Sequence, residues 1–357
     1  MSSQKFNSKK VEVISKKKPP YPLSEGFKKY LKNYGRLVQL NISYQTLLFF
    51  ENSIPVYDAH GKDTLWESTF YKDSEINEIS NQLKEAYALL KSGGDQTSTG
   101  HLKIEKIDYC TFGNSRPFRI KIINILNDVY DYFYIKVPDA SRILGLEIDH
   151  IIGSDKVSFL VGNNTLVEEH IPGIPGDFFI DKYLDSPICN KVRLAKEFVK
   201  FNQRCFIRLL GDMRSYNFVF DITPDFDDVQ IRIRPIDFDQ QCYEGRKNIY
   251  LPQYYKENGY LVNLVSELHT PQTINQYQQE EKASIARRIT GFRTRLKELL
   301  HVIEKEELST KEKIRQLREE LADTYEDRIF LKCETMGMLL ERSLKRVVVF
   351  NVIKSKY

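Results

Sequence analysis

Leu210–Gln240, LGDMRSYNFVFDITPDFDDVQIRIRPIDFDQ, is the stretch that decides the fold. Phe218-Val219-Phe220 is a short apolar strand, and Thr223-Pro224-Asp225 carries turn chemistry, with proline holding φ near −65°. Val229, Ile231 and Ile233 then alternate with Gln230, Arg232 and Arg234, the period of a half-buried strand. The pattern predicts a β-hairpin whose ends meet. Asp212 and Asn217 before it and Asp237 after it would converge at the open end of a small sheet. Oxygen-rich side chains gathered at one point suit Mg²⁺, a hard cation that shares its ligands with phosphates. Taken singly, each acidic cluster reads equally well as strand caps and turn formers. Both clusters in this order, joined by a hairpin, carry the functional reading.

Asp212, Asn217 five residues on, a hairpin and then Asp237-Phe238-Asp239 resembles the catalytic and metal-binding loops of the protein-kinase-like superfamily. Gly211-Asp212 and the closing Asp239 look more like its atypical branches, such as HipA-type kinases and aminoglycoside or choline phosphotransferases. The resemblance implies an α+β, bilobal fold with a small antiparallel β lobe and a larger, mainly helical lobe. It implies ATP and Mg²⁺ as cofactors. By it, Asp212 positions the acceptor hydroxyl or takes its proton, and Arg214 meets the γ-phosphate. Asn217 and Asp237 would hold the metal. Asp239 would hold a second metal or the acceptor.

Upstream, the same resemblance places a small lobe at 98–172. Ile104–Cys110, Phe118–Leu126 and Tyr130–Val137 read as three antiparallel strands. The loop at 111–117 would lie over the nucleotide phosphates through Gly113, Ser115 or Arg116, although it carries one glycine where the family has a glycine-rich run. Lys136 ends an apolar strand where a buried unpaired ammonium is costly. It resembles the lysine that grips the α- and β-phosphates; its other reading is an outward-facing edge lysine. Pro138-Asp139 starts a helix over Ala140–Ile152, with Asp139 as N-cap. Glu147 would pair with Lys136 there, unless it and Arg142 are surface charges. Strands at Val157–Val161 and Asn164–His170 lead to a hinge in which Glu168–Ile171, including His170, would meet the base. His170 by itself reads as a packed histidine.

Around this core, residues 1–20 read as a basic flexible tail and 21–97 as a separate accessory module. The module has strand patterning at Leu37–Phe50 and Trp66–Tyr71 and a helix at Glu75–Lys91. Residues 173–357 would form the large lobe, with a central helix over Arg193–Leu209 and charged helices from Thr273 on. Ser309 and Glu312 form a Ser-x-x-Glu capping box. Tyr250–Tyr254 would either shape an acceptor pocket or pack beneath a loop.

The 357 residues carry a net charge of +4, but residues 1–18 hold six lysines against one glutamate, leaving the body at −1. A neutral body argues against a nucleic-acid-binding fold except through the tail. Five scattered cysteines without Cys-x-x-Cys pairing suggest reduced thiols and a cytoplasmic setting. No apolar run is long enough for a membrane span, and no apolar signal core precedes the chain body. The expected function is ATP- and Mg-dependent transfer of the γ-phosphate to a hydroxyl on a protein or small molecule. The alternatives are a kinase-shaped interaction module with little or no activity and a nucleotidyl transferase using the same residues.

Overall fold

The computed structural model describes residues 18–58, 60–92, 99–113, 115–154, 156–186, 189–224 and 229–354. The tail up to residue 17, the linker at 93–98, Asn114 and the hairpin tip at 225–228 lie outside the described residues. The chain is a mixed α+β protein.

It opens with α1 (Glu25–Asn33), whose N-cap Ser24 accepts from the Phe27 amide. A single turn, α2 (Tyr44–Leu47), follows. Then come the hairpin β1 (Asn52–Tyr57) and β2 (Asp63–Phe70), α3 (Asp73–Ser92), and the strands β3 (Leu102–Cys110), β4 (Phe118–Asn124) and β5 (Val129–Lys136). Helix α4 (Ala140–Ile152) crosses to β6 (Phe159–Gly162) and β7 (Thr165–Glu169). These seven strands make one sheet in the order β1-β2-β3-β4-β5-β7-β6, with every neighbouring pair antiparallel.

Period-2 patterning gives the sheet two chemically distinct faces. Ile107, Phe118, Ile120, Ile122, Phe133, Ile135 and Val167 form one core with Ile79, Leu83, Ala86 and Leu90 of α3. Burying each large side chain is worth roughly 1.5–3 kcal/mol. Arg119, Tyr134 and Glu168 stand opposite one another in register on the other face, and Lys136 follows two residues after Tyr134. The accessory segment is therefore not a separate body, as its composition had suggested. β2 pairs with β3, and α3 covers the same sheet. The strand expected at Leu37–Phe50 is absent: Leu37 makes one isolated bridge to Val161, and Ser43 caps α2 instead.

The rest is mainly helical. β8 (Ile174–Pro175) and α5 (Gly176–Lys182) precede α6 (Lys191–Arg208). α6 runs from N-cap Asn190 to Leu209, a C-cap in the left-handed region at φ 54°. β9 (Phe218–Pro224) and β10 (Val229–Pro235) are the expected hairpin, joined to β8 in a three-stranded sheet. Helices α7 (Gly259–Leu268), α8 (Pro271–Gly291), α9 (Arg293–Ile303), α10 (Lys311–Tyr325) and α11 (Met336–Lys354) follow. Their apolar faces share a second core with α1, α4 and α6. The expected Ser309 cap is one residue off. Thr310 caps α10, while the Ser309 hydroxyl donates to the Tyr243 carbonyl. No described helix is long and apolar enough to cross a membrane.

Candidate active site

The hairpin does what its sequence predicts. Phe218 pairs with Pro235 at its base, and one step further out the Ile236 amide donates to the Asn217 carbonyl at 3.0 Å. Asp237 thus leaves the sheet beside Asn217. A second link fixes the approach to Asp212. After the αL turn at Leu209, the Gly211 amide donates to Gln240 O at 3.2 Å and the Cys242 amide to Leu209 O at 2.8 Å. These bonds lay the segment before Asp212 along the segment after Asp239.

Asp212 sits at φ 57°, a left-handed conformation that aspartate tolerates better than most residues. Its amide faces the Ile249 carbonyl at 3.2 Å and the Tyr255 hydroxyl at 3.1 Å. Asn217 Nδ2 donates to the Asp212 carbonyl at 2.7 Å. That leaves Asn217 Oδ1 as the atom to offer a cation. Arg214 donates through Nε to Asp212 Oδ1 at 2.9 Å and through Nη1 to Glu257 at 2.8 Å. Burial pushes the Asp212 carboxyl above its ordinary 3.8. The Arg214 guanidinium opposes that rise, and the charges of Asp237 and Glu257 add to it. A carboxylate so placed is readier to take a proton.

An amide oxygen and carboxylate oxygens form a hard donor set that fits Mg²⁺. Among the described residues no group of three or more His, Cys, Asp or Glu side chains is placed to hold a metal ion. Mg²⁺ needs no such group, because it keeps waters and phosphates among its ligands. Of the three expected ligands, Asn217 and Asp237 are brought to the same end of the hairpin, where Asp237 Oδ1 accepts from the Asp239 amide at 3.0 Å. Asp239 is committed elsewhere: its carboxylate is ion-paired to the guanidinium of Arg142, which is 4% exposed.

The residues expected at the nucleotide fare unevenly. Lys136 is buried, but its ammonium pairs with Glu168 at 2.5 Å, not with Glu147. α4 begins four residues after Lys136, and Glu147 lies about two turns further on, since a turn takes roughly 3.6 residues. There Glu147 is fully buried. Arg295 grips it at 2.6 and 2.9 Å, and the Tyr30 hydroxyl donates to it at 2.6 Å. It ties α1, α4 and α9 together. Glu168 binds Lys136 through one oxygen, and its other oxygen is buried without a partner. His170 lies 3.3 Å from the Tyr134 hydroxyl and edge-on to Tyr132, the packed reading of that histidine. Gly113 and Ser115 sit in the β3–β4 loop. An added Cβ at Gly113, φ 85°, would meet nothing within 4 Å, so the loop is open there. Tyr250 is core, with its hydroxyl on Glu244 O, whereas Tyr254 is exposed. The larger cavity, about 310 Å³ between α6, α7 and α8, is lined by Asn202, Tyr254 and Val262 among others; Asp212, Asn217 and Asp237 do not line it.

Sequence reading missed Arg142 as the partner of Asp239, and Tyr255 and Glu257 as the braces of Asp212 and Arg214. It also missed Lys18, whose amine pairs with Asp139. No family model and no curated protein matches this chain.

Proposed function

We propose that this protein is an ATP- and Mg-dependent phosphotransferase of the atypical protein-kinase-like type. The observation that carries the reading is the meeting of Asp212, Asn217 and Asp237 at the base of the β9–β10 hairpin. The order of elements supports it. Three antiparallel strands, a crossing helix and two more strands of the same sheet precede a helical region, as the resemblance requires of a small and a large lobe. Phe238 is buried against α4, where Gly145 leaves room for its ring, and so anchors the turn that bears Asp237.

In this reading Asn217 and Asp237 hold the magnesium, which would supply charge neutralisation to the phosphates. Asp212 orients the acceptor hydroxyl and takes up its proton; such groups are worth ~10²–10⁴ in rate. Arg214 holds Oδ1 of Asp212 and Asn217 Nδ2 donates to its Oδ2 at 3.4 Å, which together fix the carboxylate that is offered to the acceptor. Tyr255 and Ile249 pin the backbone of Asp212 at its left-handed φ.

One observation favours a second reading, a kinase-shaped interaction module. Lys136, expected at the nucleotide, and Asp239, expected at a second metal or the acceptor, are already ion-paired within the chain. Incubation with γ-labelled ATP and Mg²⁺ separates the two. Label appearing on the protein itself, on a hydroxylated acceptor or as free phosphate, and lost in Asp212→Ala and Asp237→Asn, supports the transferase. Nucleotide binding with no label moved supports the interaction module, and neither binding nor turnover overturns both.

A further inference from the structure

Lys18 closes a run of three lysines that composition assigns to a solvated tail, yet its side chain is 5% exposed and its ammonium lies 2.5 Å from Asp139 Oδ2. The backbone around it is clamped. The Tyr21 amide donates to the other oxygen of Asp139 at 2.7 Å, and the Ala140 amide donates to the Tyr21 carbonyl at 2.9 Å. The amine also sits 5.5 Å from the ring centre of Tyr243, just past the Asp237–Asp239 turn. The charges of Asp237 and Arg142 both act on it. Arg142, one turn into α4, is ion-paired to Asp239 and keeps a buried Nε without a partner. Arg142 thus meets Asp239 of the Asp-Phe-Asp turn, while Lys18, held on Asp139, lies within range of the charge of Asp237. Lys136 is placed otherwise: its amine is held by Glu168, beneath the Tyr134 ring.

We propose that Lys18, with Arg142 beside it, is the cation that meets the phosphates of a nucleotide bound at Asp237, in the role the sequence assigns to Lys136. The proposal rests on the phosphotransferase reading. An ammonium has three donors. Asp139 takes one and holds the group in place, which leaves donors for phosphate oxygens. The N-terminal segment then becomes part of the nucleotide site and not an appendage to it.

The test is equilibrium binding of Mg–ATP and, separately, of adenosine to the full chain as wild type, Lys18→Met and Lys136→Met. Adenosine lacks the phosphates, so it reports the base site alone. The expected result is that Lys18→Met weakens Mg–ATP by about tenfold or more while changing adenosine by less than about twofold, the loss of a charge-assisted bond. Lys136→Met should leave the ratio of the two affinities unchanged. Lys18→Met with an unchanged ratio, or with tighter Mg–ATP binding, would overturn the proposal alone, as would a phosphate-specific loss in Lys136→Met. Wild type binding neither ligand would overturn the site reading and the proposal together. Should Lys18→Met fold poorly because Asp139 is orphaned, Lys18→Met with Asp139→Asn removes the stranded charge and gives the same comparison.

Discussion

Gly145→Ala tests the packing that aims the Asp237–Asp239 turn. A Cβ at Gly145 would stand 2.8 Å from Phe238 Cβ and 3.2 Å from Gln241 Cβ. Ordinary carbon contacts begin near ~3.5 Å, so Phe238 would have to retreat by somewhat under ~1 Å. It has little room to do so. It is 2% exposed, Arg208 lies over its ring at 5.5 Å, and Arg208 also donates to the Gly145 carbonyl at 2.9 Å. Overpacking of this kind costs about 1–3 kcal/mol, while alanine in a helix interior returns about 1 kcal/mol. The net expectation is a loss of about 1 kcal/mol in urea denaturation. Gly291→Ala is the control, since nothing lies within 4 Å of an added Cβ there, and it should be neutral or slightly stabilising. Because Phe238 directly follows Asp237, Mg–ATP affinity or turnover should fall more than stability does; a misplacement of about 1 Å costs up to ~10² in rate. Gly145→Ala matching the control in both stability and nucleotide affinity would refute the account of how the turn is held.

Three further outcomes follow from the same geometry. Glu147→Leu should cost about 3 kcal/mol, because it strands Arg295 at a buried site, while the Mg–ATP affinity of the folded fraction stays at the wild-type level; a selective loss of nucleotide would restore Glu147 to the phosphate site. Asp212 must be ionised to accept a proton, and burial raises its carboxyl above 3.8. Turnover should therefore fall as pH drops through that raised value. Arg214→Met should move the acid limb of the pH–rate profile upward, since Arg214 opposes the rise; a downward shift would contradict the assigned pair. Asp327 is N-cap of the 3₁₀ turn at Arg328–Lys332, and it is bound by Arg342 and Arg346. Burial pushes its carboxyl up, but Arg342, the Ile329 amide and Arg346 together outweigh it and hold the group below 3.8. Its contribution is present above the unfolded value and lost as pH falls through the lower folded one, so Asp327→Asn should flatten the acid-side loss in melting temperature.

What the sequence revealed was local. Asp139 capping and the 3.6-residue stripe define α4 from Ala140 to Ile152, because cap and periodicity belong to neighbouring residues. The hairpin follows from the apolar run at Phe218–Phe220 and the alternation at Val229–Ile233, whereas Thr223 and Pro224, which read as turn, belong to β9, and Asp225 lies outside the described residues. What failed was long-range. Lys18 meets Asp139 across 121 residues, and Glu147 meets Arg295 across 148. A charge read from composition looks solvated until its distant partner is known. Leu37–Phe50 alternates like a strand, yet it lies at the edge of a sheet that gives it one bridge, and Ser43 then turns the chain into α2. The proposed metal ligands show the same division. Asn217 and Asp237 follow from the hairpin, whereas the removal of Asp239 by Arg142 depends on how α4 packs over the turn.

The most direct test of the account is the affinity of the wild-type protein for ATP, measured by calorimetry with Mg²⁺ present and again with the metal chelated. The account predicts binding that weakens sharply without Mg²⁺ and is lost in Asp237→Asn. Absent binding, or binding indifferent to both the metal and Asp237, would contradict it.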